Sequence, residues 1–164
     1  TRGYHVMHGY FENPEATART IDADGWLHTG DLCAMDERGY CRITGRLKDR
    51  VIRGGENMFP AEIEAVLIEH PAVIEAAVIG VPDHRMGEEL AAFVRVSGEP
   101  PDVEQLRAHV RGRLAAPKAP RYWVFLAEFP LTGSGKIQKF VLRARWDAGG
   151  FDAIDAVGDR SARR

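Results

Sequence analysis

Four places in this sequence combine residue types and spacing that could do chemistry. Asp31 follows Thr29-Gly30 at the mouth of a hairpin, where a tight turn can hold a carboxylate against two neighbouring hydroxyls, as in recognition of a ribose. Arg46 follows Gly45 at the far end of the same hairpin, and its planar fork suits ribose or phosphate oxygens. Gly54 and Gly55 are adjacent with no obvious hairpin around them, which leaves room for another backbone or an extended ligand to approach. Lys136 ends Thr132-Gly133-Ser134-Gly135, a flexible loop that would bring one ammonium to the start of a helix, where it could neutralise a phosphate or a developing oxyanion. Taken singly, each has an ordinary use: a turn aspartate, an ion-paired arginine, a bulge, a solvated lysine. A P-loop is excluded, because Pro130 and Ile137 stand where that motif needs Gly and Ser or Thr.

These residues need elements to hold them. Asn13 before Pro14-Glu15 predicts a short helix to about Arg19, and Asp22-Ala23-Asp24-Gly25 a turn. A hairpin is expected from Asp31 to Arg46, with strands Leu32–Met35 and Tyr40–Thr44 joined at Asp36-Glu37-Arg38-Gly39. Leu47 to Arg53 reads as a further strand. Pro60 opens an amphipathic helix to about His70 on Ile63, Val66 and Leu67. Val73–Val81 and Leu90–Val96 read as strands, and Asp102 caps a helix whose apolar positions are Val103, Leu106, Val110 and Leu114. Tyr122–Phe129 is an aromatic-rich strand, Lys136 opens a last helix to about Trp146, and residues 147–164 read as a disordered tail. The order of elements from about residue 49 predicts an α+β domain with helices packed on a mainly antiparallel sheet.

Composition bounds the possibilities. The 164 residues are 45% hydrophobic, enough for a packed core, and the net charge of −2 points away from nucleic acid or an anionic membrane as main partner. No apolar run approaches the roughly 20 residues of a membrane span. Cys33 and Cys41 flank the hairpin and are expected as free thiols in a reducing, cytoplasmic setting. The six histidines show no metal-site spacing, so no metal site is expected. The opening Thr1-Arg2-Gly3-Tyr4 has neither an initiator Met nor a signal-like core, and part of a longer chain is expected.

In their order and surroundings the motifs resemble the C-terminal part of the adenylate-forming, AMP-binding enzymes, which include acyl-CoA synthetases, firefly-type luciferases and peptide-synthetase adenylation domains. The matching pieces run from Met7-His8-Gly9-Tyr10 through Thr29-Gly30-Asp31, Gly45-Arg46-Leu47-Lys48-Asp49 and Gly54-Gly55-Glu56-Asn57 to Pro60-Ala61-Glu62-Ile63-Glu64 and Gly135-Lys136-Ile137. Arg53-Gly54-Gly55-Glu56-Asn57 and Gly135-Lys136-Ile137-Gln138-Lys139-Phe140 look most like medium- and long-chain fatty acyl-CoA ligases.

The resemblance implies a two-step reaction. A fatty acid carboxylate attacks ATP to give acyl-adenylate and pyrophosphate, and CoA then displaces AMP. It implies that Asp31 and Arg46 bind nucleotide and that Lys136 assists adenylation. Lys48 would be the hinge, and Gly54, Gly55 and Glu56 would meet the pantetheine arm of CoA. Residues 1–47 would be the end of a large N-terminal domain and 48–146 the small mobile domain. The phosphate loop, the acidic residue associated with Mg²⁺ and the acyl pocket of the full pattern are absent here, so little activity is expected of these residues alone. Two alternatives differ in acceptor or class: an adenylation domain loading a carrier-protein thiol, and a non-catalytic binding module.

Overall fold

Asn13 starts the first helix through its own side chain, whose Oδ1 accepts the Ala16 N–H at 3.0 Å ahead of Pro14 at the first helical position. This helix is α1, Pro14–Thr20. Asp22 then organises the turn that follows, accepting N–H groups from Asp24 (3.1 Å) and Trp26 (2.9 Å). The computed structural model describes residues 1–157 and divides the chain into two units, Thr1–Lys48 and a second that begins at Asp49.

The first unit is built around an antiparallel hairpin, β1 (Asp31–Met35) and β2 (Cys41–Arg46). Asp36 closes its turn by accepting the N–H groups of Arg38 and Tyr40, both at 2.9 Å. The register steps from Leu32↔Gly45 to Cys33↔Ile43, so Thr44 is an extra residue in β2 and its hydroxyl donates to the Leu32 carbonyl at 3.2 Å. Cys33 and Cys41 face Ile43 and Met35, not each other, and both are free and exposed. Gly45 is the one buried residue of this unit.

The chain departs from the single strand expected over Leu47 to Arg53. Leu47–Asp49 is a 3-10 turn, and the strand β3 covers only Val51–Arg53. It pairs with β4 (Glu56–Met58), a strand too short to show a periodic signal. The chain continues as α2 (Pro60–Ile68), β5 (Val73–Asp83), β6 (Gly87–Val96), α3 (Val103–Arg111), β7 (Tyr122–Phe125), α4 (Lys139–Asp147) and β8 (Ile154–Asp155). Pro82 lies inside β5, which pairs only with β6, and an edge strand tolerates a missing N–H.

β6 is the centre of the sheet. It has β5 on one side and β3 and β7 on the other, and the outer strands β4 and β8 pair with β3 and β7. Every pairing is antiparallel except β6 with β7. Ile63 and Leu67 of α2 and Leu106 and Val110 of α3 pack with Val78, Leu90 and Trp123 in one buried cluster. Leu142 of α4 packs with Ile79, Phe93 and Val124 in a second cluster, which draws on alternate β5 and β6 residues. With both faces covered, β5 and β6 are nearly continuous apolar runs and do not alternate.

Two further differences concern the C-terminal stretch. The last helix begins at Lys139, three residues beyond Lys136. Residues read as tail from 147 include the end of α4 and the strand β8, which pairs with Tyr122 and Trp123 and is held by Arg121 on Asp155 at 2.8 Å. A two-residue strand in a Gly- and Asp-rich stretch leaves no compositional trace. Residues 158–164 of the expected tail lie outside the described residues.

Candidate functional site

Asp31 and Arg46 are the first residue of β1 and the last of β2, and the register makes them direct cross-strand partners. Arg46 Nε lies 2.9 Å from Asp31 Oδ1. The carboxylate is also positioned from behind, because Asp31 N–H donates to Thr29 Oγ1 at 3.1 Å and Gly30 turns the chain with φ of +73°. The arginine side chain stays 64% exposed while the aspartate is 23% exposed. Such a pair offers carboxylate lone pairs and free guanidinium N–H groups side by side, a donor and acceptor set suited to a ribose with a nearby phosphate.

Lys48 is exposed on the 3-10 turn Leu47–Asp49, where the division between the units falls. The next residue is tied into the second unit: Lys139 Nζ reaches Asp49 Oδ2 at 3.7 Å and Glu64 Oε1 at 2.7 Å. Glu64 in turn accepts the Val78 N–H at 2.6 Å.

Gly54 and Gly55 form a hairpin turn, contrary to the expectation that no hairpin surrounds them. Arg53 and Glu56 are paired across it, and the two glycines have φ of +57° and +84°. A two-residue hairpin loop whose central residues both have positive φ needs glycine-like backbones. The two positions differ in their surroundings. A Cβ on Gly54 would lie 2.6 Å from Met86 Cε, whereas a Cβ on Gly55 meets nothing within 4 Å. Gly55 and the exposed Glu56 therefore present open backbone at the tip.

Lys136 stands on a loop that is braced, contrary to the flexible loop expected. Thr132 is its hub. Its N–H donates to the Lys136 carbonyl (2.8 Å), its carbonyl accepts from Gly135 N–H (2.9 Å), and its Oγ1 accepts from Lys136 N–H (3.0 Å). A Leu131–Ile137 bridge closes the base. The Lys136 side chain is exposed and makes no ion pair among the described residues, so a fixed backbone carries a free ammonium.

The structure thus brings Asp31 to Arg46, and Gly54 to Gly55 and Glu56, while Lys48 and Lys136 each occupy a segment of their own. Sequence reasoning missed the side chains beneath the glycine hairpin. Arg53 Nε binds Glu89, which is 2% exposed, and Glu88 Oε2 accepts the Ile52 N–H at 2.7 Å. The available signal was two adjacent glutamates, Glu88-Glu89, directly before the apolar run of residues 90–94. Asp83 supports the same region. Burial pushes its carboxyl pKa up, but N–H groups of Met86 and Arg85 and the charges of Arg121 and His84 outweigh that and hold it below the ordinary value. Among the described residues no group of three or more His, Cys, Asp or Glu could hold a metal ion, and no helix is long and apolar enough to cross a membrane.

Residues 62–136 match the family model described as the AMP-binding enzyme C-terminal domain. The chain is 54% identical over 146 residues to a protein named putative acyl-CoA synthetase YngI of Bacillus subtilis (strain 168), covering 88% of this chain and 27% of that one. It is 51% identical to the mitochondrial medium-chain acyl-CoA ligase ACSF2 of Mus musculus, covering 89% of this chain and 24% of the relative. A solved fatty acyl CoA synthetase of Mycobacterium tuberculosis superposes with a TM-score of 0.67 at 43% identity, over 87% of this chain and 28% of that chain. The chain therefore spans about a quarter of the length of these relatives. Its fold, its motifs and these likenesses agree: the chain belongs to the adenylate-forming, AMP-binding superfamily and matches the C-terminal domain of its members.

Proposed function

We propose that this chain is the C-terminal section of an ATP-dependent fatty acyl-CoA ligase. The observation that carries the reading is the likeness to a named acyl-CoA synthetase along 146 residues, at 54% identity, in a chain that pairs Asp31 with Arg46 and presents a free Lys136. In this reading Asp31 accepts hydrogen bonds from the ribose hydroxyls of ATP, and Arg46 holds the carboxylate and lends its free N–H groups to nucleotide oxygens. Lys136 brings its ammonium to the carboxylate and α-phosphate oxygens as negative charge gathers on them, which is electrostatic stabilisation of the adenylation transition state. Pyrophosphate leaves. Rotation about Lys48 then replaces Lys136 with the Gly54-Gly55-Glu56 tip, along which the pantetheine arm of CoA delivers its thiol to the acyl carbonyl and expels AMP.

The remaining parts fall to the large N-terminal domain, the partner this reading requires. That domain supplies the phosphate loop, the Mg²⁺ ligands and the acyl pocket, consistent with a chain that spans 24% to 27% of its relatives. The reading places the enzyme in the cytoplasm, supported by two exposed free thiols, although the mouse relative is named as mitochondrial. Cell fractionation decides between them.

The test is to measure ATP–pyrophosphate exchange and then thioester formation with free CoA, in the full-length enzyme and in these 164 residues. The full-length enzyme should do both and the isolated chain neither. Exchange by the isolated chain refutes the division of labour, and a full-length enzyme that loads only a carrier-protein thiol refutes the CoA acceptor.

A further inference from the structure

We infer that Arg53 and Glu89 are positioning residues for the thioester-forming half-reaction, acting through the orientation of the glycine hairpin. This rests on the functional reading above and adds to it. Arg53 is the last residue of β3, directly before Gly54. Its Nε binds Glu89 Oε1, and the Leu90 N–H donates to the same oxygen at 2.9 Å. Glu89 is 2% exposed and Arg53 23%. Two neighbouring contacts add to this one: the Ile52 N–H on Glu88 Oε2 at 2.7 Å, and the Gly54 N–H on the Met86 carbonyl at 2.8 Å. Three successive residues of β3 and its turn are thereby fastened to the 86–89 segment, while the only β3–β6 ladder pair is Arg53↔Gly87.

The ion pair is the unusual member. Burying a carboxylate and a guanidinium costs desolvation that their attraction repays only in good geometry, and apolar residues of similar volume often serve stability as well or better. What an apolar pair cannot supply is one direction and one register. β3 has a three-pair ladder with β4 but a single ladder pair with β6, so strand pairing alone joins the glycine hairpin to β6 at one point. The Arg53–Glu89 contact fixes that strand, and with it the direction in which Gly54 and Gly55 present their backbone to CoA. Neither residue touches the reacting atoms.

The experiment uses the full-length enzyme and compares wild type, Arg53→Lys and the double replacement Arg53→Met with Glu89→Leu. Each is measured for ATP–pyrophosphate exchange, for thioester formation from preformed acyl-adenylate over a range of CoA concentrations, and for its urea midpoint. The double variant should keep a midpoint at or above wild type. Its thioester formation should nevertheless fall about ten-fold or more relative to its exchange rate, through a raised KM for CoA, since small misplacement of a positioning element costs factors of this order. Arg53→Lys keeps a cation without the fork and should give an intermediate ratio. A wild-type ratio in both variants overturns the inference, whatever their stability, as does a loss that falls equally on both half-reactions. A wild type that adenylates but forms no thioester with free CoA removes the functional reading, and the inference with it.

Discussion

At the scale of single residues, Gly54 and Gly55 look equivalent in sequence and are not equivalent in space. Both have positive φ, so alanine at either position costs about 1–2 kcal/mol of backbone strain. At Gly54 the methyl also lands 2.6 Å from Met86 Cε, while at Gly55 it enters open space. We expect Gly54→Ala to lower the urea midpoint more than Gly55→Ala, and Met86→Ala to recover part of the difference. In the full-length enzyme Gly55→Ala should depress thioester formation more than adenylation, because its methyl projects where the reading places CoA. Lys136 makes the opposite kind of case. Its ammonium has no ion-pair partner among the described residues and Thr132 holds its backbone, so Lys136→Ala should leave the free energy of unfolding within about 0.5 kcal/mol of wild type, as read from urea unfolding. The same change should depress ATP–pyrophosphate exchange far more than thioester formation from preformed acyl-adenylate. Equal loss in both steps would remove the role assigned to it.

At the scale of elements, what could be read in advance was what local chemistry decides. Asn13-Pro14 and Asp102 cap their helices through their own side chains, and both helices begin where those residues put them. Pro60 opens α2 with Phe59 supplying no side-chain cap, so proline's fixed φ, followed by Glu62 in the first turn, marks where it starts. What could not be read needed a partner from elsewhere in the chain. β4 is three residues long and β8 two, lengths at which a period of two has no statistical weight. The glycine pair concealed its hairpin for the same reason, since neither flank carries an alternating run. The Asp31–Arg46 pairing depends on the bulge at Thr44, because one residue more or less in β2 would turn Arg46 to the other face. The candidate residues were therefore legible as types, and Asp31 and Arg46 as the two ends of one hairpin, while the register that pairs them and the turn at the glycines were not.

The packing of α2 against α3 carries a pH dependence of its own. His70 follows α2, with its ring 5.1 Å from that of His109 in an edge-on arrangement. Its Nδ1 accepts the Ala72 N–H at 3.3 Å. The Val66 carbonyl can only accept, so His109 Nε2, 2.9 Å away, carries the hydrogen and its Nδ1 is left to accept from Arg113 at 3.1 Å. Burial foremost, then electrostatic interaction with His109 and Arg113, pushes the His70 pKa below its ordinary value of 6.5. The unfolded chain then takes up this proton at a higher pH than the folded chain does. Stability from this site is complete above pH 6.5 and is lost as pH falls through the folded value. The urea midpoint of this chain should fall from pH 7 toward pH 5, and His70→Gln should flatten that segment of the profile. An unchanged slope in the variant would assign the dependence elsewhere.

At the scale of the whole molecule, the two units are built on different physical terms. Every buried apolar residue among those described lies at or beyond Val51, and the first unit buries only Gly45. Met35, Ile43 and Tyr40 of its hairpin are about 70% exposed. An isolated two-stranded hairpin is at best marginal in water, and a segment with no buried apolar side chains has nothing to offset the entropy of ordering it. The second unit has a six-stranded sheet covered on both faces, with Trp123, Phe93, Leu90 and Leu142 fully buried. Hydrogen exchange on the 164-residue chain should separate the two. Amides of β5 and β6 should exchange only with global unfolding, while those of β1 and β2 should exchange orders of magnitude faster, at free energies of opening near zero. In the full-length enzyme the β1–β2 amides should become protected, because the proposed N-terminal domain would cover the exposed face that carries Cys33, Met35, Cys41 and Ile43. Slow exchange throughout β1 and β2 in the isolated chain would show that the first unit is stable without a core. It would also remove the physical reason for assigning the Asp31–Arg46 pair to a larger domain.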